Sequence, residues 1–289
     1  MGARMTEVEF AFLRGFLKTR SGLSLTAEKR YLAESRLAPV CRRFEIDSLS
    51  ELVTLLRRGG DRDLECAVVE AMSTNETSFF RDRIPFDLLR GTLLPRFLEQ
   101  RAESRRLRIW CAASSTGQEP YSVAMILHDA AERLKGWQVE VLATDLSPEV
   151  LAKARAGLYS QFEVQRGLPI QLLLAHFTQV GAQWQIAPQL RAMVTFRTIN
   201  LVRDFGALGA FDIIYCRNVL IYFDAPTRAA VLRRLAAALA PDGALLLGAA
   251  ESVHGLSDVL SPDLEHRGLY GKVTPARPGL MTPPLTASS

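Results

Sequence analysis

Between residues 6 and 71, apolar positions recur at helical spacing. Val8, Phe12, Leu13, Phe16 and Leu17 form one stripe with arginine and lysine between them, the pattern of an amphipathic helix. A second helical stretch is expected from Glu28 to Phe44. A third covers Ser48, Leu49, Leu52, Val53, Leu55 and Leu56 and stops at Gly59-Gly60, because paired glycines end helices. Strand signals are absent from this region, so the pattern predicts a small helical bundle.

Beyond Arg105 the rhythm changes to short apolar runs separated by helical segments. The runs are Leu107 to Ala112, Val139 to Thr144, Met193 to Ile199, Phe211 to Cys216 and Ala244 to Ala249. Runs apolar on both faces, alternating with helices, predict a parallel sheet covered on its two sides. Ser147-Pro148 opens a helix that Gly157 closes, and Pro226 opens another, closed by Pro241-Asp242-Gly243. Between Tyr159 and Arg191 the alternation breaks, and Val180 to Ile186 reads as a turn flanked by short strands. The expected organisation is a helical domain over residues 1–74 and an α/β domain over 75–274 with a small β insertion near 159–191. Residues 275–289, rich in Pro, Thr and Ser, are expected to form a disordered tail.

Composition adds exclusions. The 289 residues are 48% hydrophobic and 23% charged, enough for one large core and a smaller one. A net charge of +4 favours an acidic partner but lacks the charge density of a nucleic-acid binder. Cys41, Cys66, Cys111 and Cys216 are scattered and form no CxxC pair, so neither a metal site nor a disulfide framework is expected. No signal pattern or membrane-length apolar stretch is present, and a cytoplasmic location without membrane insertion is expected. Met1-Gly2 with Thr6 matches the short lipidation pattern, which recurs by chance and is set aside.

The chemistry-bearing blocks lie at the predicted element ends. Leu107 to Ser122 is a strand, a loop of small residues (Ala113-Ser114-Ser115-Thr116-Gly117) and a helix. Small residues let a ligand approach the backbone, but the dinucleotide fingerprint is absent. Asp145 ends the second strand, where a carboxylate can accept both ribose hydroxyls or help start the following helix. Asn75-Glu76-Thr77-Ser78-Phe79-Phe80-Arg81 joins the two regions and reads either as ligand-binding or as a capped helix start with Phe79 and Phe80 in the core. The block Phe211 to Asp224 opens with a strand that ends at Arg217-Asn218, so both side chains are expected to reach the mouth of the pocket, with Tyr222 following.

These blocks, "NETSFFRD", "STGQEPYS", "ATDLSPEVLAKAR" and "CRNVLIYFD", in this order and spacing, resemble the CheR family of chemotaxis receptor methyltransferases. The resemblance spans nearly the whole chain. It implies a Rossmann-like α/β methyltransferase domain with a mostly parallel seven-stranded sheet, S-adenosylmethionine as cofactor with S-adenosylhomocysteine as product, and no metal. It further implies that Asn75, Thr77 and Arg81 hold the methionine end, Glu119 contacts the cofactor, Asp145 its ribose and Asn200-Leu201 the adenine region. Arg217 and Asn218 would wall the pocket beside the methyl donor, and Tyr222 would face the acceptor. The implied partner is the cytoplasmic domain of a methyl-accepting receptor, helical and acidic, which Arg36, Arg42, Arg43, Arg57 and Arg58 of the bundle would attract. Two departures stand out. Gln118 replaces the usual first glutamate of its block, and the insertion is slightly shorter than in members that dock on a receptor's C-terminal pentapeptide, which argues against such a tether.

The implied acceptor is a glutamate side chain. Its ordinary pKa of about 4.3 leaves it ionised by roughly 500 to 1 at pH 7. No general base is needed, consistent with the absence of His128, His176, His254 and His266 from the blocks. Alignment is what remains to be supplied, worth up to ~7–11 kcal/mol. Exclusion of water from a pocket that Phe79, Phe80, Trp110 and Tyr222 could line would also help, although core packing is the expected role of Trp110, Phe79 and Phe80, with Tyr222 the exception. A methyltransferase for RNA or a small molecule would share the sheet without needing the bundle, and a non-catalytic adaptor would not need Arg81, Glu119, Asp145 and Asn218.

Overall fold

The computed structural model describes residues 5–273. The expected tail and the Met1-Gly2 pattern lie outside the described residues. Four helices come first: α1 (Glu7–Ser21), α2 (Arg30–Arg43), α3 (Leu49–Arg58) and α4 (Arg62–Met72). Their starts are chemically marked. Thr6 and Glu9 form a capping box, Ser48 accepts from the Glu51 amide, and Asp61 accepts from the Leu64 amide, each satisfying N–H groups that the first helical turn leaves open. Leu13, Leu17, Leu37 and Leu52 meet in a common core and are fully buried, worth about 1.5–3 kcal/mol apiece.

Two readings of the bundle change. The inward stripe of α1 is Phe10, Leu13 and Leu17, while Val8 is 69% exposed. Helix α4 is a separate element that the periodicity had not separated. The linker also differs from one of its readings. Asn75 to Arg81 is not a helix start; it has no regular secondary structure and ends in a turn, with Phe80, Asp82 and Arg83 at positive φ. Burial of both Phe79 and Phe80 overrides the local steric cost of that backbone.

A short helical run follows, α5 (Ile84–Leu88), a π-turn and α6 (Leu94–Gln100), leading into β1 (Arg106–Ala112), α7 (Gln118–Asp129), β2 (Gln138–Asp145) and α8 (Pro148–Ala156). Ser147 caps α8 and Gly157 ends it in the left-handed region, as the punctuation predicted. The insertion holds β3 (Leu158–Ser160), α9 (Gln161–Gln165), α10 (Ile170–His176), β4 (Phe177–Val180), β5 (Gln183–Ile186) and α11 (Pro188–Ala192). Its strands form a separate three-stranded antiparallel sheet, larger than the expected strand pair. The chain then returns through β6 (Val194–Thr198), β7 (Phe211–Cys216), α12 (Ala225–Ala238), β8 (Leu239–Leu247), β9 (Leu260–Pro262) and β10 (Leu269–Lys272), which pairs antiparallel with β9.

The main sheet has seven strands in the order β6-β2-β1-β7-β8-β10-β9. The first five are parallel and β10 is antiparallel to β8. Alternate residues face opposite layers. Ile109, Cys111, Val141, Ala143, Ile213 and Tyr215 pack under α5 to α7, whereas Trp110, Ala112, Leu142, Ile214 and Cys216 pack under α12, the period-two consequence of a pleated strand buried on both faces. Helix α12 ends at Ala238, and Pro241-Asp242-Gly243 is not its stop. These residues lie inside β8, where the register shifts against β7. Arg101 braces the shift by binding both Asp212 and Asp242.

Strand order reverses beside β1, so the loops after β1 and β7 diverge and leave a crevice at the carboxyl edge of the sheet. The bundle roofs this crevice. Ser24 N donates to the Tyr222 carbonyl (2.8 Å), Leu23 bridges Phe223, and Asn200 Nδ2 donates to the Arg20 carbonyl (2.6 Å). Gly22 permits this approach. It sits at φ 80°, and a Cβ there would lie 2.6 Å from Val202 Cγ1.

Candidate active site

One cleft at this edge gathers Asn75, Thr77, Arg81, Glu119, Asp145, Asn200, Leu201, Arg217, Asn218 and Tyr222. Every position that the sequence assigned to cofactor or acceptor is therefore in one wall or another. Leu23, from the helical bundle, and Ser114 complete the lining.

The β1–α7 loop forms the floor. Ala113, Ser115 and Gly117 all have positive φ, which curls the chain tightly after the strand. Ser115 ties the loop to both neighbours: its amide donates to Asp145 Oδ2 (2.9 Å) and its hydroxyl to the Asn75 carbonyl (2.9 Å). Asp145 Oδ1 accepts from the Ser147 amide (3.0 Å). Both readings of Asp145 thus have a physical counterpart, since the carboxylate steadies the approach to α8 and also faces the cleft. Burial raises its pKa, against the lowering effect of the Ser147, Ser115 and Leu146 amides.

Beneath the opposite wall lies a charged knot. Arg217 Nη1 donates to Glu119 Oε2 (2.8 Å), and Nη2 donates to Asp82 Oδ2 (2.7 Å) and to the Arg81 carbonyl (2.9 Å). The sequence placed Arg217 at the mouth of the pocket. Instead β7 stops at Cys216 and the guanidinium turns inward, 2% exposed, because two carboxylates await it there. Burial raises the Glu119 pKa, with Arg217 opposing. Burial also works against the charge on Arg217, and Glu119 with Asp82 more than restores it.

Other assignments shift in detail. The Asn200 side chain is already committed, donating to Arg20 and accepting from the Val202 amide, so its position in the cleft is offered mainly as backbone beside Leu201. Trp110 packs in the core, the role expected of a first-strand aromatic; it is fully buried and its Nε1 donates to Thr144. Phe79 and Phe80 likewise belong to the core under the sheet. None of the four histidines lines the cleft.

Among the basic residues of the bundle, Arg36 is corrected. It donates to the carbonyls of Met72 (2.9 Å) and Ser73 (3.2 Å) and to Thr74 Oγ1 (3.2 Å), anchoring the linker rather than awaiting a partner. Arg42, Arg43, Arg57 and Arg58 are exposed in the last turns of α2 and α3. Arg43 lies over Phe44 and Arg57 over Phe12.

Whether the cleft suits an adenosyl sulfonium can be asked of its own unpaired atoms. Ser114 is 2% exposed, lines the cleft, and its hydroxyl has no partner. A buried unpaired hydroxyl is costly unless a ligand satisfies it. Ser114, Asp145 and the apolar pair Ile199 and Leu201 present the mixture of donor, anion and apolar surface that an adenosine requires. The residues present fit the group.

Fold and cleft together define a methyltransferase of the open α/β class. The family model "CheR methyltransferase, SAM binding domain" matches residues 75–263, and "CheR methyltransferase, all-alpha domain" matches residues 8–73. The chain is 42% identical over 257 residues to chemotaxis protein methyltransferase 1 of Vibrio cholerae, covering 88% of this chain and 92% of that protein. It is 41% identical to chemotaxis protein methyltransferase 1 of Pseudomonas aeruginosa, covering 86% and 92%, and 32% identical to the chemotaxis protein methyltransferase of Borreliella burgdorferi, covering 88% and 92%. The chain belongs to the CheR methyltransferase family, and it is an S-adenosylmethionine-dependent enzyme.

Proposed function

We propose that this enzyme methylates glutamate side chains on the cytoplasmic domain of a methyl-accepting chemotaxis receptor, giving glutamate 5-O-methyl esters, and that it works in the cytoplasm. Among the described residues no helix is long and apolar enough to cross a membrane. The observation that carries the reading is the convergence of Arg81, Asp145 and Tyr222 on one cleft under a helical roof.

When bound, S-adenosylmethionine supplies a methyl group on a positively charged sulfur. Asp145 would accept the ribose hydroxyls, and Ser114 would donate to or accept from the same ligand. Asn75, Thr77 and Arg81 would hold its methionine end. Glu119, which lines the cleft and also fixes Arg217, would contact the cofactor, and Arg217 with Asn218 would shape the wall beside the donor. The acceptor carboxylate arrives already ionised, so Tyr222 needs only to orient it through its hydroxyl. The bundle residues Leu23 and Ser21 reduce access of water from above, which favours a transition state in which opposite charges are being neutralised.

The helical domain, residues 1–74, would be the receptor-recognition domain, with Arg42, Arg43, Arg57 and Arg58 attracting the acidic methylation region. Incubation with methyl-labelled cofactor and a receptor cytoplasmic fragment, followed by base treatment, tests the reading. Glutamate esters release labelled methanol. Label retained through base would place the methyl on another atom and end the proposal.

A further inference from the structure

Glu251 lies on the loop after β8, 8% exposed, and both oxygens of its carboxylate are occupied by backbone amides of another loop. Oε1 accepts from Val219 (2.9 Å), Leu220 (2.7 Å) and Ile221 (3.3 Å). Oε2 accepts from Asn218 (2.8 Å) and from Gly248 (2.7 Å). Asn218 is at φ 59°, and the successive amides that follow it point inward together, the concave arrangement that binds anions. The protein fills that concavity with its own carboxylate. Gly248 makes room: a Cβ there would lie 2.7 Å from Glu251 Oε2 and 2.9 Å from the Asn218 amide. Among the described residues no Lys, Arg or His forms a salt bridge with Glu251.

The loop so gathered begins at Arg217 and Asn218 and ends at Tyr222, all of which line the cleft. Asp145, Ser114 and Ser115 line the same cleft, and among the described residues the hydrogen bonds of Asp145 and Ser115 run to other groups than Glu251. We infer that Glu251 is a positioning residue, a buried carboxylate template that sets the Asn218–Tyr222 turn and thereby the acceptor end of the active site. The inference rests on the proposed reaction only for which end receives the acceptor.

Glu251→Gln keeps the size of the side chain but replaces one acceptor oxygen by a donor facing amides. In the full chain, hydrogen exchange at the amides of residues 218–221 should accelerate at least about tenfold. Turnover on a receptor fragment should fall on the order of 100-fold, as for a misaligned reacting group. The dissociation constant for S-adenosylhomocysteine, read by calorimetry, should move by less than about threefold, the split expected when an interaction made at the reacting end is lost. Glu251→Asp, which keeps the charge, should recover part of the turnover, and it replaces the glutamine variant in every measurement if that one fails to fold. Unchanged exchange at 218–221 would overturn the inference, as would full turnover, or a loss of turnover matched by equal loss of cofactor affinity. If the unaltered enzyme methylates no receptor fragment, the proposed reaction fails while the exchange measurement still decides the role of Glu251.

Discussion

Arg217 Nη1 lies 2.8 Å from Glu119 Oε2 in the interior of the protein, joining the end of β7 to the start of α7. The same guanidinium binds Asp82 and the Arg81 carbonyl, so one side chain pins the linker, the start of α7 and the end of β7. Breaking a buried pair from one side leaves an uncompensated charge, which costs about 3–5 kcal/mol. Arg217→Met should therefore lower unfolding free energy by about that amount in a urea titration, and adding Glu119→Gln should recover part of it. A single variant as stable as the parent would mean that the pair is not what holds these segments.

The raised pKa of Asp145 has a defined sign. Burial favours its protonated form in the folded protein, so any stability it contributes is present below the unfolded pKa and is lost as pH rises through the folded value. Cofactor binding needs the ionised form to accept ribose hydroxyls. Affinity for S-adenosylhomocysteine should thus begin to fall, on acidification, at a pH above the ordinary aspartate value of 3.8. Calorimetric titrations across pH 4–7 on the parent and on Asp145→Asn check this, and the variant should bind weakly with that pH dependence gone.

Two glycines of α1 should respond in opposite directions. Gly15 lies in the helix interior with open space around it, and Gly15→Ala should stabilise by roughly 0.5–1 kcal/mol. Gly22 caps the helix at positive φ against Val202 and Phe223. Gly22→Ala should destabilise by at least roughly 1–2 kcal/mol, and by loosening the Ser24 to Tyr222 bond it should also slow turnover. Thermal unfolding and initial rates read both effects.

The arginines at the ends of α2 and α3 make a charge prediction. Simultaneous reversal of Arg42, Arg43, Arg57 and Arg58 to glutamate should slow receptor methylation at low salt, with the difference shrinking as ionic strength rises. Equal rates at low salt would remove these residues from recognition.

What the sequence made legible follows from how local each signal is. Strand β7 was legible as the run Phe211 to Cys216 because a stretch buried on both faces needs no distant information, although its end, also placed at Arg217-Asn218, falls at Cys216. The bounds of α8 were legible from Ser147-Pro148 and Gly157 for the same reason. By contrast, Pro241-Asp242-Gly243 carries turn chemistry but lies in a strand, held there by Arg101 from a remote helix end. The positive φ of Phe80 has no local sign, since it is imposed by burial of its ring. Arg36 looks like any surface arginine until the folded linker brings three acceptors to it. Glu251 was invisible because its partners lie some thirty residues earlier, on a loop that meets it only in the folded sheet.

The central claim is that the cleft between β1 and β7 holds the adenosyl cofactor with Asp145 on its ribose. Calorimetric titration of the parent and of Asp145→Ala with S-adenosylhomocysteine measures it directly. The account predicts saturable one-to-one binding to the parent and affinity at least about tenfold weaker in the variant, the loss of a charged hydrogen-bonding partner being worth about 1.5–3 kcal/mol. Equal affinity in the two proteins, or no heat of binding in the parent, would contradict it.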